Sequence, residues 1–237
     1  MALDTGLLIE NIIMLGIEIS PEQVSMFETY ATMLQETNRY VNLTAITSPE
    51  EVAVKHFADS VSILSVLDTA ESSKIIDVGT GAGFPGIPLL IMYPGLQLTL
   101  ADSTAKKLNF VSNVLDELGL QAEVVHARAE ELAHDPDYRE RFDFAVSRAV
   151  ASLNVLSEYT LPFLKIGGTL VAMKGLKAQE ELAGAKTALT VLGGEFNKAV
   201  DINLTDNAER KLLIINKVKP APDKYPRHGS QISKKPL

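Results

Sequence analysis

Between residues 74 and 218, short apolar runs alternate with longer stretches of helical periodicity. Strands that alternate with helices favour right-handed βαβ units and a parallel sheet covered on both faces. The last two apolar runs follow one another closely and predict an antiparallel hairpin at a sheet edge. The sequence therefore predicts an α/β fold, a doubly wound and mostly parallel seven-stranded sheet. The expected strands are 75–78, 96–101, 123–125, 142–146, 169–173, 195–202 and 211–218.

The beginning of the chain carries helical signals. Ser20 and Ser48 each precede a Pro, and a capping hydroxyl followed by Pro marks a helix start. Gln23, three residues after Ser20, completes the pattern of a capping box. Apolar residues follow both starts at helical spacing, whereas residues 38–45 lack that period and predict a loop. Three segments are expected: an N-terminal helical region packed on the core (1–70), the core domain (71–219) and a basic, Pro-rich, extended tail (220–237).

Composition narrows the class of protein. With 46% hydrophobic and 22% charged residues and no Cys, the 237-residue chain is typical of a globular protein and unlike disordered or disulfide-stapled chains. The absence of Cys removes thiolate ligands and Cys nucleophiles, and we expect no metal site. No apolar run approaches the ~20 residues that span a bilayer, so we expect a cytoplasmic protein without membrane contact. A monomer is expected as well, although no sequence feature indicates the oligomeric state.

Charge is distributed unevenly along the chain. The formal net charge is −8, yet the segment 210–237 contains eight basic residues and one acidic residue. That segment therefore carries +7 and residues 1–209 carry −15. A local polyanion contact and a merely solvated tail explain this asymmetry equally well.

A glycine-rich loop follows the first expected strand, where residues 77–86 read Asp-Val-Gly-Thr-Gly-Ala-Gly-Phe-Pro-Gly. Glycines allow close backbone approach to a ligand, and ligands of open α/β sheets bind beyond the strand ends. Gly81, Gly83 and Gly86 match a dinucleotide-binding pattern, with Asp102 near the spacing of a ribose-binding acid. This pattern alone favours a nicotinamide cofactor.

The acid that precedes the glycines favours a different cofactor. Asp77 would repel a pyrophosphate and attract the amino and sulfonium groups of S-adenosylmethionine. Asp102 closes the second strand and suits a ribose hydroxyl, although it equally suits a helix N-cap. We therefore prefer S-adenosylmethionine on electrostatic grounds.

Two further strand ends supply candidate residues. Ala129 and Glu130 follow the third strand, where backbone groups would recognise an adenine, although the same residues suit an ordinary helix start. Arg148 follows the fourth strand, where substrate and methyl group would meet. A guanidinium there binds a phosphate, stacks on a base or simply lies at the surface.

With these motifs in order, the chain resembles the RsmG family, also called GidB, of bacterial 16S rRNA guanine-N7 methyltransferases. The resemblance runs through nearly the whole length and departs from the family pattern at residues 228–232. The motifs that carry it are Asn42-Leu43-Thr44-Ala45-Ile46, Lys55-His56-Phe57-Ala58-Asp59-Ser60, the loop 77–86 with its Phe-Pro, Arg128-Ala129-Glu130, Ser147-Arg148-Ala149-Val150-Ala151, Lys224-Tyr225-Pro226-Arg227 and Lys234-Lys235-Pro236-Leu237.

The resemblance implies a class I, Rossmann-like methyltransferase fold that uses S-adenosylmethionine. It also implies a substrate, a guanine in the 530 loop of 16S rRNA, free or within the 30S subunit, methylated at N7. The cofactor contacts implied by the family are Gly79, Phe84, Ala129, Glu130 and Arg148. The electrostatic argument adds Asp77 and Asp102, and the loop adds Gly81 and Gly83.

Guanine N7 has a free lone pair and no proton at neutral pH, so its attack on a methyl group needs no general base. We assign no catalytic residue, keep Arg148 as a candidate, and expect catalysis by positioning. His56 is then an RNA contact or a structural hydrogen-bonding group. The target base must be splayed out of its helix. The expected RNA contacts are Lys55, His56, Lys174, Arg227, Lys234 and Lys235, with Tyr225 as a stacking platform.

Three functions remain in competition. The leading one is the rRNA guanine-N7 methyltransferase. The second is a nicotinamide-dependent oxidoreductase that uses the overlapping glycine pattern, and the third is a non-catalytic RNA-binding or assembly protein that retains a nucleotide pocket.

Overall fold

A seven-stranded sheet forms the centre of the computed structural model, which describes residues 2–67 and 72–237. The strands are β1 (Lys74–Val78), β2 (Gln97–Asp102), β3 (Glu123–His126), β4 (Phe142–Arg148), β5 (Leu164–Lys174), β6 (Gly194–Asp201) and β7 (Lys211–Lys217). Their order is β3-β2-β1-β4-β5-β7-β6. Strands β1 to β5 are parallel, whereas β7 is antiparallel to both β5 and β6. The predicted mostly parallel sheet with an edge hairpin is confirmed.

The order of the strands fixes where a ligand can bind. The chain leaves β1 towards β2 and β3 and then returns to β4, on the other side of β1. Open α/β sheets bind ligands at such a switch point, beyond the carboxyl ends of the strands. Asp77, Asp102 and Arg148 lie at or near the carboxyl ends of β1, β2 and β4, so the topology brings the three together.

Helices cover both faces of the sheet. They are α1 (Thr5–Met14), α2 (Pro21–Asn38), α3 (Pro49–Glu51), α4 (Asp59–Val61), α5 (Gly86–Met92), α6 (Ala105–Leu118), α7 (Ala129–Leu132), α8 (Leu153–Thr160), α9 (Ala178–Gly184), α10 (Lys186–Leu192) and α11 (Gly229–Lys234). A π-helix (Val52–Ala58) joins α3 to α4, and 3-10 turns occupy Ser62–Ser65 and Leu161–Phe163.

The N-terminal helices share one apolar core with the sheet. The Ser20 side chain and the Gln23 side chain cap α2 reciprocally, as the sequence predicts. Phe27 and Tyr30 of α2 are buried against Phe57, and the Tyr30 ring stacks on Phe84 with 5.3 Å between centroids. This contact fastens α2 directly to the glycine-rich loop. The expected boundary between residues 70 and 71 lies outside the described residues.

One helical segment has a form that the sequence does not predict. Ser48 caps α3 as predicted, but the chain then continues as the π-helix Val52–Ala58 rather than as an α-helix. Such wide turns occur frequently at functional sites. Here the carbonyl oxygens of Lys55 and His56 accept hydrogen bonds from Arg148, so the π-helix is tied to the end of β4.

Several element boundaries differ from prediction. β4 extends to Arg148, so this residue ends the strand instead of following it. β5 begins before its Gly-Gly pair. The helical stretch between β5 and β6 is divided into α9 and α10 at Ala185.

The C-terminal segment is not the free, extended tail that its Pro content suggests. It contains α11, and its apolar side chains Ala221, Tyr225 and Ile232 are buried. Arg139 donates to the carbonyl oxygens of Ala221 and Tyr225 over 2.9 Å each. The segment is therefore docked on the same face of the sheet as α8.

Candidate active site

A cavity of about 480 Å³ opens beyond the carboxyl ends of β1 to β4. Seven of the nine predicted cofactor contacts line it, and Asp77 and Gly83 do not. The seven that line it are Gly79, Gly81, Phe84, Asp102, Ala129, Glu130 and Arg148. The strand ends thus bring most of the predicted residues into one place.

Asp77 lies beneath the glycine-rich loop and is fully buried. Its Oδ2 accepts hydrogen bonds from Thr80 Oγ1 over 2.7 Å and from Gly86 N over 2.9 Å, while Oδ1 has no partner. Burial raises the pKa of Asp77 to about 7, although both hydrogen bonds act in the opposite direction. The expectation of a direct cofactor contact is corrected: Asp77 does not line the cavity, and its carboxylate secures the loop from beneath.

Gly83 faces away from the cavity. A Cβ at this position would lie 2.6 Å from the Tyr30 hydroxyl and from Ile87 Cδ1, and φ is +98°. The Tyr30 hydroxyl also donates to Ala82 O over 2.5 Å. Gly83 is therefore required for packing of the loop on α2, and its assignment as a cofactor contact is corrected.

The N–H groups of the loop point mainly into the protein. Gly79 N and Thr80 N donate to the carbonyl oxygen of Ala101, and Gly81 N donates to Asp102 Oδ2 over 2.9 Å. The first N–H of α5, from Gly86, is taken by Asp77. A phosphate-binding loop needs such groups free for the anion, so this loop lacks the main feature of a dinucleotide site.

Gly79 shapes the floor of the cavity. Its φ is +74°, and a Cβ there would lie 2.6 Å from Val150 Cγ2. The backbone at this position therefore forms a cradle that any side chain would fill.

Asp102 organises the backbone at the end of β2, but Thr104 is the N-cap of α6, so the helix-cap alternative for Asp102 is wrong. Oδ2 holds Gly81 N, and Oδ1 accepts from Thr104 N over 2.8 Å just before α6 begins. The same carboxylate lines the cavity. It connects the loop, the helix start and the ligand site.

Arg148 is held by several partners within the protein. Its Nη1 donates to Lys55 O over 2.8 Å and lies 3.4 Å from Asp59 Oδ2. The guanidinium carbon lies 4.8 Å from the centroid of the Phe84 ring. The side chain is only 15% exposed, so most of its hydrogen-bonding capacity organises the site rather than facing a ligand.

His56 is a buried, neutral hydrogen-bonding group. Arg148 Nη2 lies 3.0 Å from His56 Nδ1, and because a guanidinium only donates, Nδ1 must accept. The ring proton is then on Nε2, which donates to Thr44 Oγ1 over 2.8 Å. Burial and the charge of Arg148 lower the pKa of His56 to about 3. Both nitrogens are engaged, so the structure supports the expected structural role and not a base.

Sequence reasoning gave no role to several residues that line the cavity, namely Leu43, Thr44, Thr80, Lys107, Val150 and Tyr159. Thr44 lies within the motif 42–46, and its position in a non-helical loop is the available sequence signal. The contributions of Lys107 and Tyr159 depend on helix packing, which no local pattern reveals.

Three of the predicted RNA contacts must be corrected. The Lys174 side chain is 8% exposed, and its ammonium is bonded to Ala151 O and Glu181. Tyr225 is 8% exposed and packs in the core, so it offers no stacking face. Arg227 binds the fully buried carboxylate of Glu158 through Nε and Nη2 over 2.8 and 2.7 Å.

The other predicted RNA contacts differ in accessibility. Lys55 is part-exposed and pairs with Glu51 over 2.7 Å, while Lys234 and Lys235 are exposed on and beside α11. Of the eight basic residues after position 209, four form hydrogen bonds or ion pairs within the protein, so fewer of them are available to contact a polyanion. These four are Arg210, Lys211, Lys217 and Arg227.

Two kinds of feature are not found in the part of the chain that the structure describes. No helix there combines the length and apolar character needed to cross a membrane. No group of three or more His, Cys, Asp or Glu side chains there is arranged to hold a metal ion.

A family model described as GidB, rRNA small subunit methyltransferase G, matches residues 23–213 of the chain. The chain belongs to this family. Ribosomal RNA small subunit methyltransferase G of Desulfitobacterium hafniense is 49% identical over 225 residues, covering 94% of this chain and 93% of the relative. The protein of the same name from Leuconostoc mesenteroides is 45% identical over 232 residues, covering 97% of each chain. Family membership thus extends over nearly the whole length.

Solved structures share the fold of the family at low sequence identity. An S-adenosylmethionine-dependent methyltransferase from Aquifex aeolicus matches with a TM-score of 0.55 at 19% identity, covering 72% of this chain and 94% of its own. The cyclase SpnF matches with a TM-score of 0.58 at 14% identity, covering 86% and 98%. Since a methyltransferase and a cyclase both have this fold, these likenesses concern the fold alone.

Proposed function

We propose that this protein transfers a methyl group from S-adenosylmethionine to N7 of a guanine in the 530 loop of small-subunit rRNA, in the cytoplasm. The observation that carries the proposal is the loop at the end of β1, which presents few free N–H groups and lies between the carboxylates of Asp77 and Asp102. Such a loop disfavours a pyrophosphate and favours a ligand with positive charge.

The residues of the cavity fit S-adenosylmethionine. Gly79 forms a cradle beside Val150. Beneath the loop, outside the lining of the cavity, the buried Asp77 Oδ1 has no partner among the described residues. Asp102 would hold the ribose hydroxyls, and Ala129 with Glu130 would hold the adenine. When bound, the cofactor supplies a methyl group activated by a positively charged sulfur.

Catalysis then depends on how the chain holds and orients its ligands. Guanine N7 is already unprotonated, so no side chain has to remove a proton. Neutral His56 fixes Thr44 and receives Arg148, and these contacts hold the end of β4 beside the cofactor cavity. Holding two reactants in line can lower a barrier by ~7–11 kcal/mol.

Recognition of the RNA needs exposed groups near the mouth of the cavity. Lys55 remains a candidate phosphate contact there, and Lys234 and Lys235 supply others on the C-terminal segment. Tyr40 is 87% exposed and precedes Leu43 and Thr44, which line the cavity. An exposed aromatic ring stacks on splayed bases, so Tyr40 replaces Tyr225 as the stacking platform.

The decisive experiment incubates the purified protein and a labelled methyl donor with 30S subunits, or with their rRNA, from cells that lack this protein. We expect label at a single 530-loop guanine, located by primer extension after cleavage at 7-methylguanine. Label at another base or atom would contradict the assigned target. No incorporation with any rRNA form would favour the non-catalytic RNA-binding alternative.

A thermal-shift titration separates the two cofactors. S-adenosylhomocysteine should raise the melting temperature by occupying the cavity, whereas NADH should leave it unchanged. A rise in melting temperature with NADH but not with S-adenosylhomocysteine would favour the nicotinamide-dependent oxidoreductase instead.

A further inference from the structure

A second cleft, of about 620 Å³, adjoins the cofactor cavity. His56, Arg148, Ala149 and Val150 line both spaces, so the two meet at the end of β4. The far side of the cleft is formed where β5 ends and β7 begins. Residues from there include Met173, Gly175, Glu209 and Arg210.

The boundary between the two spaces has unusual backbone geometry. Ala149 has φ of +56°, a conformation that non-glycine residues seldom adopt and that clusters at functional sites. This turn places Val150 against Gly79, with its side chain in both spaces and the residue 38% exposed. An apolar wall at this point, together with Met173, suits the flat face of a base.

Among the described residues that line the cleft, the carboxylates differ in their partners. Asp59 lies between Arg148 and Arg210, at 3.4 and 3.0 Å. Glu181 pairs with Lys174 over 2.8 Å. Glu209 is exposed and forms no ion pair within 4 Å. The hydrogen bond to Asp201 raises the pKa of the nearby Lys211, and the charges of Asp201 and Glu209 add to that shift.

The chemistry of the reaction calls for such a group. The N7 lone pair forms the new N–C bond while the C–S bond breaks, and its electron pair remains on sulfur. No proton moves, and the positive charge passes from the donor to the base. A carboxylate without a cationic partner beside the acceptor base lowers the energy of that charge as it develops.

We propose that this cleft receives the guanine splayed out of the RNA and that the Glu209 carboxylate stabilises the cationic base. The inference rests on the proposed function and identifies the acceptor side of the same site. It also predicts that the cleft binds a 7-methylguanine base more tightly than guanine itself.

Binding of nucleotides tests the cleft without turnover. The full chain, saturated with S-adenosylhomocysteine, is titrated by NMR with 7-methylguanosine 5′-monophosphate and with guanosine 5′-monophosphate. One extra charge near a carboxylate at a partly exposed site should give about a tenfold preference for the methylated nucleotide. E209Q should remove the preference while leaving guanosine monophosphate binding unchanged. E180Q, at an exposed acid of α9 outside the cleft, should bind like the wild type.

Absence of the preference in the wild type, its survival in E209Q, or failure of both nucleotides to bind would overturn the proposal. Methylation kinetics with 30S subunits then tests the role of Glu209 separately from the proposed function. A lower kcat for E209Q at unchanged KM for the methyl donor supports the role of Glu209. Equal kcat in E209Q and wild type contradicts that role and leaves the function standing. Absence of methylation by the wild type contradicts the function itself.

Discussion

Arg148 Nη2 donates a hydrogen bond to His56 Nδ1 over 3.0 Å, and this contact determines the tautomer of the His56 ring. It forces the imidazole proton onto Nε2, where it reaches Thr44 Oγ1. Thr44 Oγ1 also accepts from Ile46 N over 3.0 Å. The end of β4 is thereby connected to the loop that follows α2, across the mouth of the cofactor cavity.

The first prediction concerns the charge of His56. Burial, with the Arg148 charge, lowers its pKa to about 3, so the ring should remain neutral with its proton on Nε2 down to about pH 4. Because the unfolded pKa is about 6.5, the stability that this group contributes is complete above that pH and is lost as pH falls towards 3. Nitrogen NMR shifts of the ring report both tautomer and titration. A ring that titrates near pH 6.5 would contradict the assignment.

The second prediction concerns the fork geometry of Arg148. Arg148→Lys keeps the charge but loses the paired contacts to Lys55 O and His56 Nδ1 and the stacking on Phe84. We expect a loss of about 1–3 kcal/mol in the free energy of unfolding, because buried acceptors lose their donors. Affinity for S-adenosylhomocysteine should fall as well. Denaturant unfolding and calorimetry measure the two effects.

Arg141→Lys provides the matched control for that substitution. Arg141 is exposed and donates only to the carbonyl oxygen of Pro136, so its replacement should leave both quantities nearly unchanged. Equal effects of the two substitutions would show that Arg148 has no special organising role.

Local sequence signals predicted the features that depend on local chemistry. The capping box at Ser20 and the glycine-rich loop after β1 each involve residues within a few positions of one another, so both can be recognised in the sequence. The seven strands also followed from apolar runs with clear ends. Seven of nine cofactor positions lie on the cavity because parallel strands end at one edge of the sheet.

The errors arose where a distant partner decides the role of a residue. The position of Arg227 in the basic C-terminal segment predicts a contact with an RNA phosphate. Its actual partner, Glu158, lies 69 positions earlier and is buried in α8. Lys174 is likewise taken by Glu181 of the next helix. The π-helix was missed because its residues have the same apolar spacing that an α-helix requires. No local pattern carries this information.

The third prediction concerns the pH dependence of cofactor binding. Burial raises the pKa of Asp77 to about 7, so the carboxyl is about half ionised in the free protein near that pH. A positively charged ligand favours the ionised form. S-adenosylmethionine should therefore bind up to about tenfold more tightly at pH 8 than at pH 6, with release of a proton. Calorimetry in buffers of different ionisation enthalpy counts that proton.

S-adenosylhomocysteine is the matched ligand, because it lacks the positive charge on sulfur. Its affinity should change much less between pH 6 and pH 8. Asp77→Asn should give the two ligands the same pH dependence of binding. Parallel pH profiles would mean that the Asp77 charge does not reach the ligand. For folding of the free protein, the pH dependence is the reverse of that for cofactor binding. Because the folded pKa of Asp77 is raised, the contribution of this carboxyl to stability falls as pH rises from about 4 to about 7.

The fourth prediction separates docking of the C-terminal segment from RNA capture. Arg227→Ala leaves the buried Glu158 carboxylate without its partner and should cost about 3–5 kcal/mol of stability. It should also weaken cofactor binding, because Gly229 of the same segment packs directly on the Glu130 carboxylate at the cavity. Urea denaturation and calorimetry with S-adenosylhomocysteine test both effects.

Lys234→Ala is the counterpart on the same segment. This lysine is exposed, so stability should be unchanged, while the slope of log affinity for RNA against log salt should decrease by about one. An unaltered slope would remove Lys234 from the RNA interface. Loss of stability in this variant would mean that the lysine contributes to docking.

The fifth prediction tests the cradle at Gly79 against a glycine of similar backbone conformation. Gly79 and Gly119 have φ of +74° and +63°, but a Cβ on Gly119 would meet nothing within 4 Å, whereas one on Gly79 would collide with Val150. Gly119→Ala should cost only the conformational penalty, about 1–2 kcal/mol. Gly79→Ala should cost more and should also reduce S-adenosylhomocysteine affinity, since the new methyl group occupies the cavity floor. Equal ligand affinity in the two variants would show that the ligand does not approach the backbone at Gly79.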